Sequence, residues 1–186
     1  GCPATSKDGL ALYMTSNRPG GQGGIDIWVA VRDSADDPFG APVNLGAPIN
    51  TPADEACPTP LTNRHALLFA STKAGGCGAS DIYLAREHAK DGWQHPENLG
   101  CTVNSAADEL SPLFVEEGDG GVLYFSSTRA GGFAADAPGA HIPVISDERY
   151  GQAVTGYMPK KGISSTASLF DPPWSMSMMS DAAKLQ

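Results

Sequence analysis

Three stretches of this chain repeat one another at a nearly constant interval. Leu12-Tyr13-Met14-Thr15-Ser16-Asn17-Arg18 runs into Pro19-Gly20-Gly21, Leu67-Leu68-Phe69-Ala70-Ser71-Thr72-Lys73 into Ala74-Gly75-Gly76, and Leu123-Tyr124-Phe125-Ser126-Ser127-Thr128-Arg129 into Ala130-Gly131-Gly132. The first glycine of each pair falls at 20, 75 and 131, steps of 55 and 56. Asp26-Ile27-Trp28-Val29-Ala30 returns as Asp81-Ile82-Tyr83-Leu84-Ala85, and Asn44-Leu45-Gly46 as Asn98-Leu99-Gly100. Asn50-Thr51 with Asp54-Glu55 returns as Asn104-Ser105 with Asp108-Glu109, while Cys2-Pro3, Cys57-Pro58 and Ser111-Pro112 open successive units. A chain built this way stacks copies of one small unit, each covering the next.

Each unit reads as four short strands. The first surrounds the Cys-Pro or Ser-Pro pair. A turn follows at Asp8-Gly9, Asn63-Arg64 or Asp119-Gly120-Gly121, where Gly and Asn accept the backbone a hairpin needs. The second strand is the Leu-x-Phe/Met-x-Ser run, apolar on both faces and so covered on both sides. A Gly-rich loop leads to the third strand, 25–31 or 81–86, and the fourth is the short Asn-Leu segment before Gly46 or Gly100. Four antiparallel strands every ~50 residues make a propeller blade, whereas the coils of a β-solenoid are shorter and lack the repeated hairpin. The fold class is therefore all-β: a partial β-propeller of about two and a half four-stranded antiparallel blades. Unit one covers 2–56, unit two 57–110 and an incomplete unit three 111–132.

After Gly132 the rhythm stops. Residues 133–186 lack the Asp-Ile and Asn-Leu-Gly strands and are rich in Ser, Ala, Met and Pro, which predicts an irregular, poorly ordered C-terminal tail, with Ser180 as the cap of a short final helix. A ring needs at least four blades, so the chain is expected to be a fragment, or to complete its ring with further blades or another chain.

The motifs Ser6-x-Asp8-Gly9, Leu-Tyr-x-x-Ser-x-Arg, Gly-Gly, Asp-Ile-Trp/Tyr, Asn-Leu-Gly and Asn-Ser/Thr-x-x-Asp-Glu, over residues 1–132, resemble the WD-like β-propeller repeats of TolB-type bacterial proteins. That resemblance implies an extracytoplasmic, six- or seven-bladed binding propeller, periplasmic or secreted. It carries over no catalytic residue.

Charge narrows the partners. With 12 Lys and Arg against 21 Asp and Glu, the net charge is −9, which argues against nucleic acid. No apolar run is long enough to span a bilayer as a helix. No cofactor motif is present: the Gly-rich loops lack the Lys-Ser/Thr and helix of a phosphate loop. They also miss the spacing of a repeats-in-toxin calcium site, which leaves Asp26 and Asp81 expected to cap the first amides of the third strand. Zinc would need Cys-x-x-Cys pairs, and there are none.

Cys77 and Cys101 lie on connections that emerge on one face of a propeller, so a disulfide between them is favoured over free thiols. Cys2 and Cys57 occupy equivalent first-strand positions, expected to lie beyond the ~7 Å bridging limit. The best ligand-binding candidates are Asp54, Glu55, Asp108 and Glu109. They precede the strand expected to line the central channel, and neighbours on a strand point to opposite sides. One carboxylate per blade would then ring the mouth to take a cation or basic peptide, or supply the pair of a glycoside hydrolase. The competing reading is structural: they accept loop amides or pair with Arg18, Lys73 and Arg129. Ser16, Ser71 and Ser127 lack a nucleophile elbow, and the four histidines sit in polar contexts without a repeated partner. A module binding protein, peptide or glycan through its loop face is the leading expectation, with a sialidase- or glycosidase-like hydrolase or an inactive fragment as alternatives.

Overall fold

A computed structural model describes residues 1–61, 65–117, 120–129 and 156–159, with the backbone alone for 116–117, 120–122 and 156–159. The described residues form strands and loops, with no helix. The first sheet orders β1 (Ala4–Thr5), β2 (Ala11–Ser16), β3 (Asp26–Val31) and β4 (Val43–Asn44) as antiparallel neighbours. In the second, β5 (Glu55–Leu61), β6 (Ala66–Ser71) and β7 (Asp81–His88) follow in order, and β7 pairs with both β8 (Gly92–Trp93) and β9 (Glu97–Asn98). The third holds β10 (Glu109–Glu117), β11 (Gly120–Ser127) and β12 (Gly156–Pro159).

The predicted second, third and fourth strands of the first two units fall where the motifs place them. Unit three differs. Its third strand, β12, comes from 156–159, inside the segment expected to be irregular, and pairs Val122 with Tyr157 and Leu123 with Gly156. The Asn63-Arg64 turn, the Ser180 helix cap and the order of the rest of 133–186 lie outside the described residues.

Burial follows from the stacking of these sheets. Successive strand residues face opposite sides of a sheet, and in β2 only Ala11, Tyr13 and Thr15 are buried while Leu12, Met14 and Ser16 are half-exposed. In β6 all six residues are buried. The second sheet therefore has a neighbour on each face. One face carries Leu67, Phe69, Tyr83 and Ala85 against Ala11, Tyr13, Ile27 and Ile49 of the first unit. The other carries Ala66, Leu68, Ile82 and Leu84 against Phe114, Leu123 and Phe125 of the third. A fully buried Leu, Ile or Phe contributes ~1.5–3 kcal/mol, so these two seams hold the sheets together. The outer edge strands β4 and β9 are two residues long, which gives little template for unwanted pairing.

The first-strand edge of the sheets carries a repeated distortion. Cys2, Cys57 and Ser111 all adopt positive φ, at 46°, 49° and 51°, a region that side chains with a Cβ seldom occupy. At two of them the pairing register slips, between Ala56 and Thr59 and between Leu110 and Leu113. The bulge breaks strand alternation and aims these side chains at the neighbouring unit. Cys2 and Cys57 are disulfide-bonded, their Cα atoms 4.8 Å apart, which corrects the expectation that these equivalent first-strand positions lie too far apart to bridge. Ser111 continues the row, its Oγ 3.5 Å from the Cys57 sulfur. Cys77 and Cys101 form the second disulfide, at a Cα separation of 5.5 Å.

Candidate functional site

The four acidic candidates sit where each unit hands over to the next. Glu55 opens β5 and Glu109 opens β10, and both are fully buried. A carboxylate taken out of water must recover its lost hydration from donors, and both do so in the same way. Glu55 accepts from Thr51 N at 2.8 Å, Thr51 Oγ1 at 2.6 Å and Ser71 Oγ at 2.9 Å. Glu109 accepts from Ser105 N at 2.7 Å, Ser105 Oγ at 2.6 Å and Ser127 Oγ at 2.7 Å. Arg129 adds an ion pair to Glu109 at 3.1 Å. Thr51 and Ser105 belong to the incoming connector, Ser71 and Ser127 to the second strand of the following unit. Each glutamate thus staples one unit to the next.

Burial alone would raise the Glu109 carboxyl, but bonds from the Ser105 side chain, Ser127, the Ser105 amide and Arg129 outweigh it and hold the group below the usual carboxylate range. Near Glu55 the basic group is Lys73, which burial pushes down while Glu55 pulls it partly back up.

The aspartates beside these glutamates point elsewhere. Asp54 Oδ1 accepts from Ile25 N at 2.8 Å, tying the connector back to the preceding unit. Its own amide donates to Thr72 Oγ1 at 3.1 Å, and its carbonyl accepts from Thr72 N at 3.0 Å. Asp108 repeats that backbone exchange with Thr128, both bonds at 3.0 Å. Asp54 and Asp108 are half-buried. Both glutamates are closed off from water, Glu55 accepting three hydrogen bonds and Glu109 four.

A second repeated device, only part of which the motifs revealed, closes the outer edge. Asn50 Oδ1 accepts from Ile27 N at 2.8 Å while its Nδ2 donates to Ile27 O at 2.9 Å and to Asn44 Oδ1 at 2.8 Å. Asn104 does the same to Ile82 N and O, at 2.8 and 3.1 Å, and to Asn98 Oδ1 at 2.9 Å. One carboxamide bonds both the amide and the carbonyl of the third-strand residue, whose carbonyl also accepts from Leu45 N or Leu99 N at 3.1 Å. The recurrence of Asn50 and Asn104 at one spacing was the available signal, but it does not say what an Asn will bond.

The Gly-rich loops are shaped by the buried Asp26 and Asp81. These accept from loop amides, Asp26 from Gln22 N at 2.8 Å and Gly23 N at 3.3 Å, and Asp81 from Cys77 N at 2.5 Å and Gly78 N at 3.1 Å. They cap the loop behind them, which corrects the expectation that they cap the strand ahead. A Cβ on Gly21 or Gly76 would land on these carboxylates, and one on Gly78 on the Ser105 and Ala107 carbonyls, so close approach demands glycine. Burial raises the Tyr83 hydroxyl; an Asn98 hydrogen bond opposes that shift and Asp81 adds to it.

The cation that follows each second strand lies over a ring: Arg18 over Trp28 at 5.0 Å, Lys73 over Tyr83 at 3.9 Å and Arg129 over Phe125 at 5.6 Å; in unit one Arg32 also lies over Phe39, at 4.4 Å. Arg129 also reaches a carboxylate, and Lys73 feels one. Arg18 is exposed and meets no carboxylate among the described residues. Among the described residues no three His, Cys, Asp or Glu side chains converge as a metal site requires. No family model matches the chain, and no curated protein matches it.

Proposed function

We propose that this chain contributes blades to an extracytoplasmic β-propeller of the TolB-like kind. It acts as a binding or scaffold module, taking a protein, peptide or glycan on the loop end of its sheets. The observation that carries this reading is the mode of stacking: one sheet buried on both faces between two others, each joined to the next by the same glutamate staple and asparagine clamp. The recurring buried polar residues are spent on assembling the units, as in a scaffold, which leaves exposed loops to meet a ligand. The row of positive-φ residues, where neighbouring inner strands approach, supports a common axis. Two disulfides support an oxidising compartment. A ring needs at least four blades, so further blades or another chain complete it.

The test presents the oxidised protein to peptide and glycan arrays. Saturable binding, weakened by substitutions in the exposed loop positions 19–22 and 74–76, is expected. Turnover on a glycoside panel, abolished by Glu55→Gln with the fold intact, would overturn the proposal.

A further inference from the structure

An aspartate followed by glycine is a peptide link prone to close on itself, because no Cβ shields the glycine nitrogen from the aspartyl side chain. The chain holds three such links, Asp8-Gly9, Asp91-Gly92 and Asp119-Gly120, and Asp119 lies outside the described residues. The other two put their glycines in the same left-handed backbone state, with φ at 71° in Gly9 and 69° in Gly92. What differs is the hold on the carboxylate.

Asp8 is tethered. Its Oδ1 accepts from Ser6 Oγ at 2.5 Å and from Leu10 N at 3.0 Å, and Ser6 is itself buried. Arg32 clamps the glycine, its Nε donating to Gly9 O at 2.8 Å and its Nη2 lying 3.5 Å from where a Cβ would stand. Asp91 has no such hold. It ends the exposed loop Ala89-Lys90-Asp91 of the β7–β8 hairpin, closed by Asp91 N on His88 O at 3.2 Å. Gly92 supplies the left-handed residue that follows the turn in a hairpin of this length. The Asp91 carboxylate makes no hydrogen bond or ion pair among the described residues, and a Cβ on Gly92 would meet nothing within 4 Å. The Gln94 carboxamide donates to Gly92 O at 3.0 Å, which leaves the Asp91 side chain untouched.

We propose that Asp91-Gly92 is a self-modification site, where the chain converts to an isoaspartyl link with water as the sole co-reactant. The Gly92 nitrogen gives up its proton and bonds to Asp91 Cγ, whose carboxyl OH leaves as water, closing a succinimide. Water then adds at the Asp91 backbone carbonyl carbon and breaks its bond to the Gly92 nitrogen, so the chain thereafter runs through Cγ. One water is lost and one regained, and the net change is an isomerisation. The product carries an extra methylene in the backbone beside the pairs His88–Gly92 and Glu87–Trp93. Trp93 packs on the seam between the first two units, so the change loosens a side chain of that seam. The proposal goes beyond the function proposed above and holds whatever the loop end binds.

The test holds the oxidised 186-residue protein warm in mildly acidic buffer for weeks, with and without urea. Peptide mapping by mass spectrometry, with enzymatic methyl transfer from S-adenosylmethionine to isoaspartate, reads each link. In the folded protein isoaspartate at 91 should accumulate at least about tenfold faster than at 8, where charge-assisted hydrogen bonds must first break. In urea that difference should vanish. Gly92→Ala should slow position 91 and leave position 8 unchanged. In the isomerised protein, separated by chromatography, the Gln94 amide, bonded to Arg86 O at 2.8 Å, should exchange its hydrogen faster. Equal rates at 8 and 91 in the folded protein, or isoaspartate at 91 in urea alone, would overturn the proposal. Unchanged exchange at Gln94 would overturn its link to the seam.

Discussion

Removing the Glu109 carboxylate tests whether it is architecture or chemistry. In Glu109→Ala four donors lose one acceptor: Ser105 N, Ser105 Oγ, Ser127 Oγ and Arg129 Nη2. Hydrogen bonds to a charged group contribute ~1.5–3 kcal/mol each, a gross loss of roughly 6–12 kcal/mol. Most of that does not reach the net figure. Deleting the carboxylate also recovers its desolvation penalty, several kcal/mol for a buried ion. The half-buried Arg129 and Ser127 can turn to water. What remains is an unsatisfied Ser105 amide and a void, so a net cost of about 3–4 kcal/mol is expected, in the range for breaking a buried pair. With a urea slope of ~2 kcal/mol per molar, the unfolding midpoint should fall by about 1.5–2 M. Tryptophan fluorescence from Trp28 and Trp93 provides the readout. Acid adds a second signature. The folded carboxyl sits below its unfolded value, so the unfolded chain binds the proton first. The contribution is complete above the unfolded value of ~4.3 and drains away as pH falls through the folded one. The variant should lack this part of the acid sensitivity. A loss below ~1 kcal/mol, or an unchanged acid limb, would refute the staple and favour a ligand role for Glu109.

Other expectations follow from the same geometry. Asn104→Ala orphans the Ile82 amide, while the Ile82 carbonyl keeps the Leu99 N–H, costing about 1–3 kcal/mol and speeding hydrogen exchange at Ile82; unchanged exchange there would count against the clamp. Replacing both Cys77 and Cys101 by Ser should cost about 3 kcal/mol, from the 24-residue separation it opens, as read by urea unfolding without reductant. Gly78→Ala pushes a Cβ into the Ser105 and Ala107 carbonyls and should destabilise by at least ~2 kcal/mol, whereas Gly92→Ala, with open space around it, should cost only the strain of its positive φ, ~1 kcal/mol.

The repeat made the strand skeleton legible because each second strand is an apolar run and the third strands of the first two units open on Asp-Ile, patterns that survive at one spacing. The Cys77–Cys101 bridge was legible too, from two connections that emerge together. Cys2–Cys57 was not. Its geometry depends on a positive-φ bulge at a Cys-Pro pair, and neither residue announces that backbone state. The full burial of Glu55 and Glu109 was not legible, because it depends on donors four residues before and 16 or 18 after them, a coincidence visible in space alone. Strand β12 was hidden for a different reason: it lacks the Asp-Ile signature and pairs through its backbone in place of a motif-bearing third strand.

The staples also decide where this molecule tolerates being cut. A gene engineer reading the repeat would separate modules just ahead of Cys57 or Ser111, where the sequence visibly begins again. That incision strands Glu55 or Glu109 on one side of the break, parted from some of its donors. Splices placed instead within the exposed 32–42 loop keep every such charge with its whole retinue, and shuffled or permuted versions of the protein should respect that boundary.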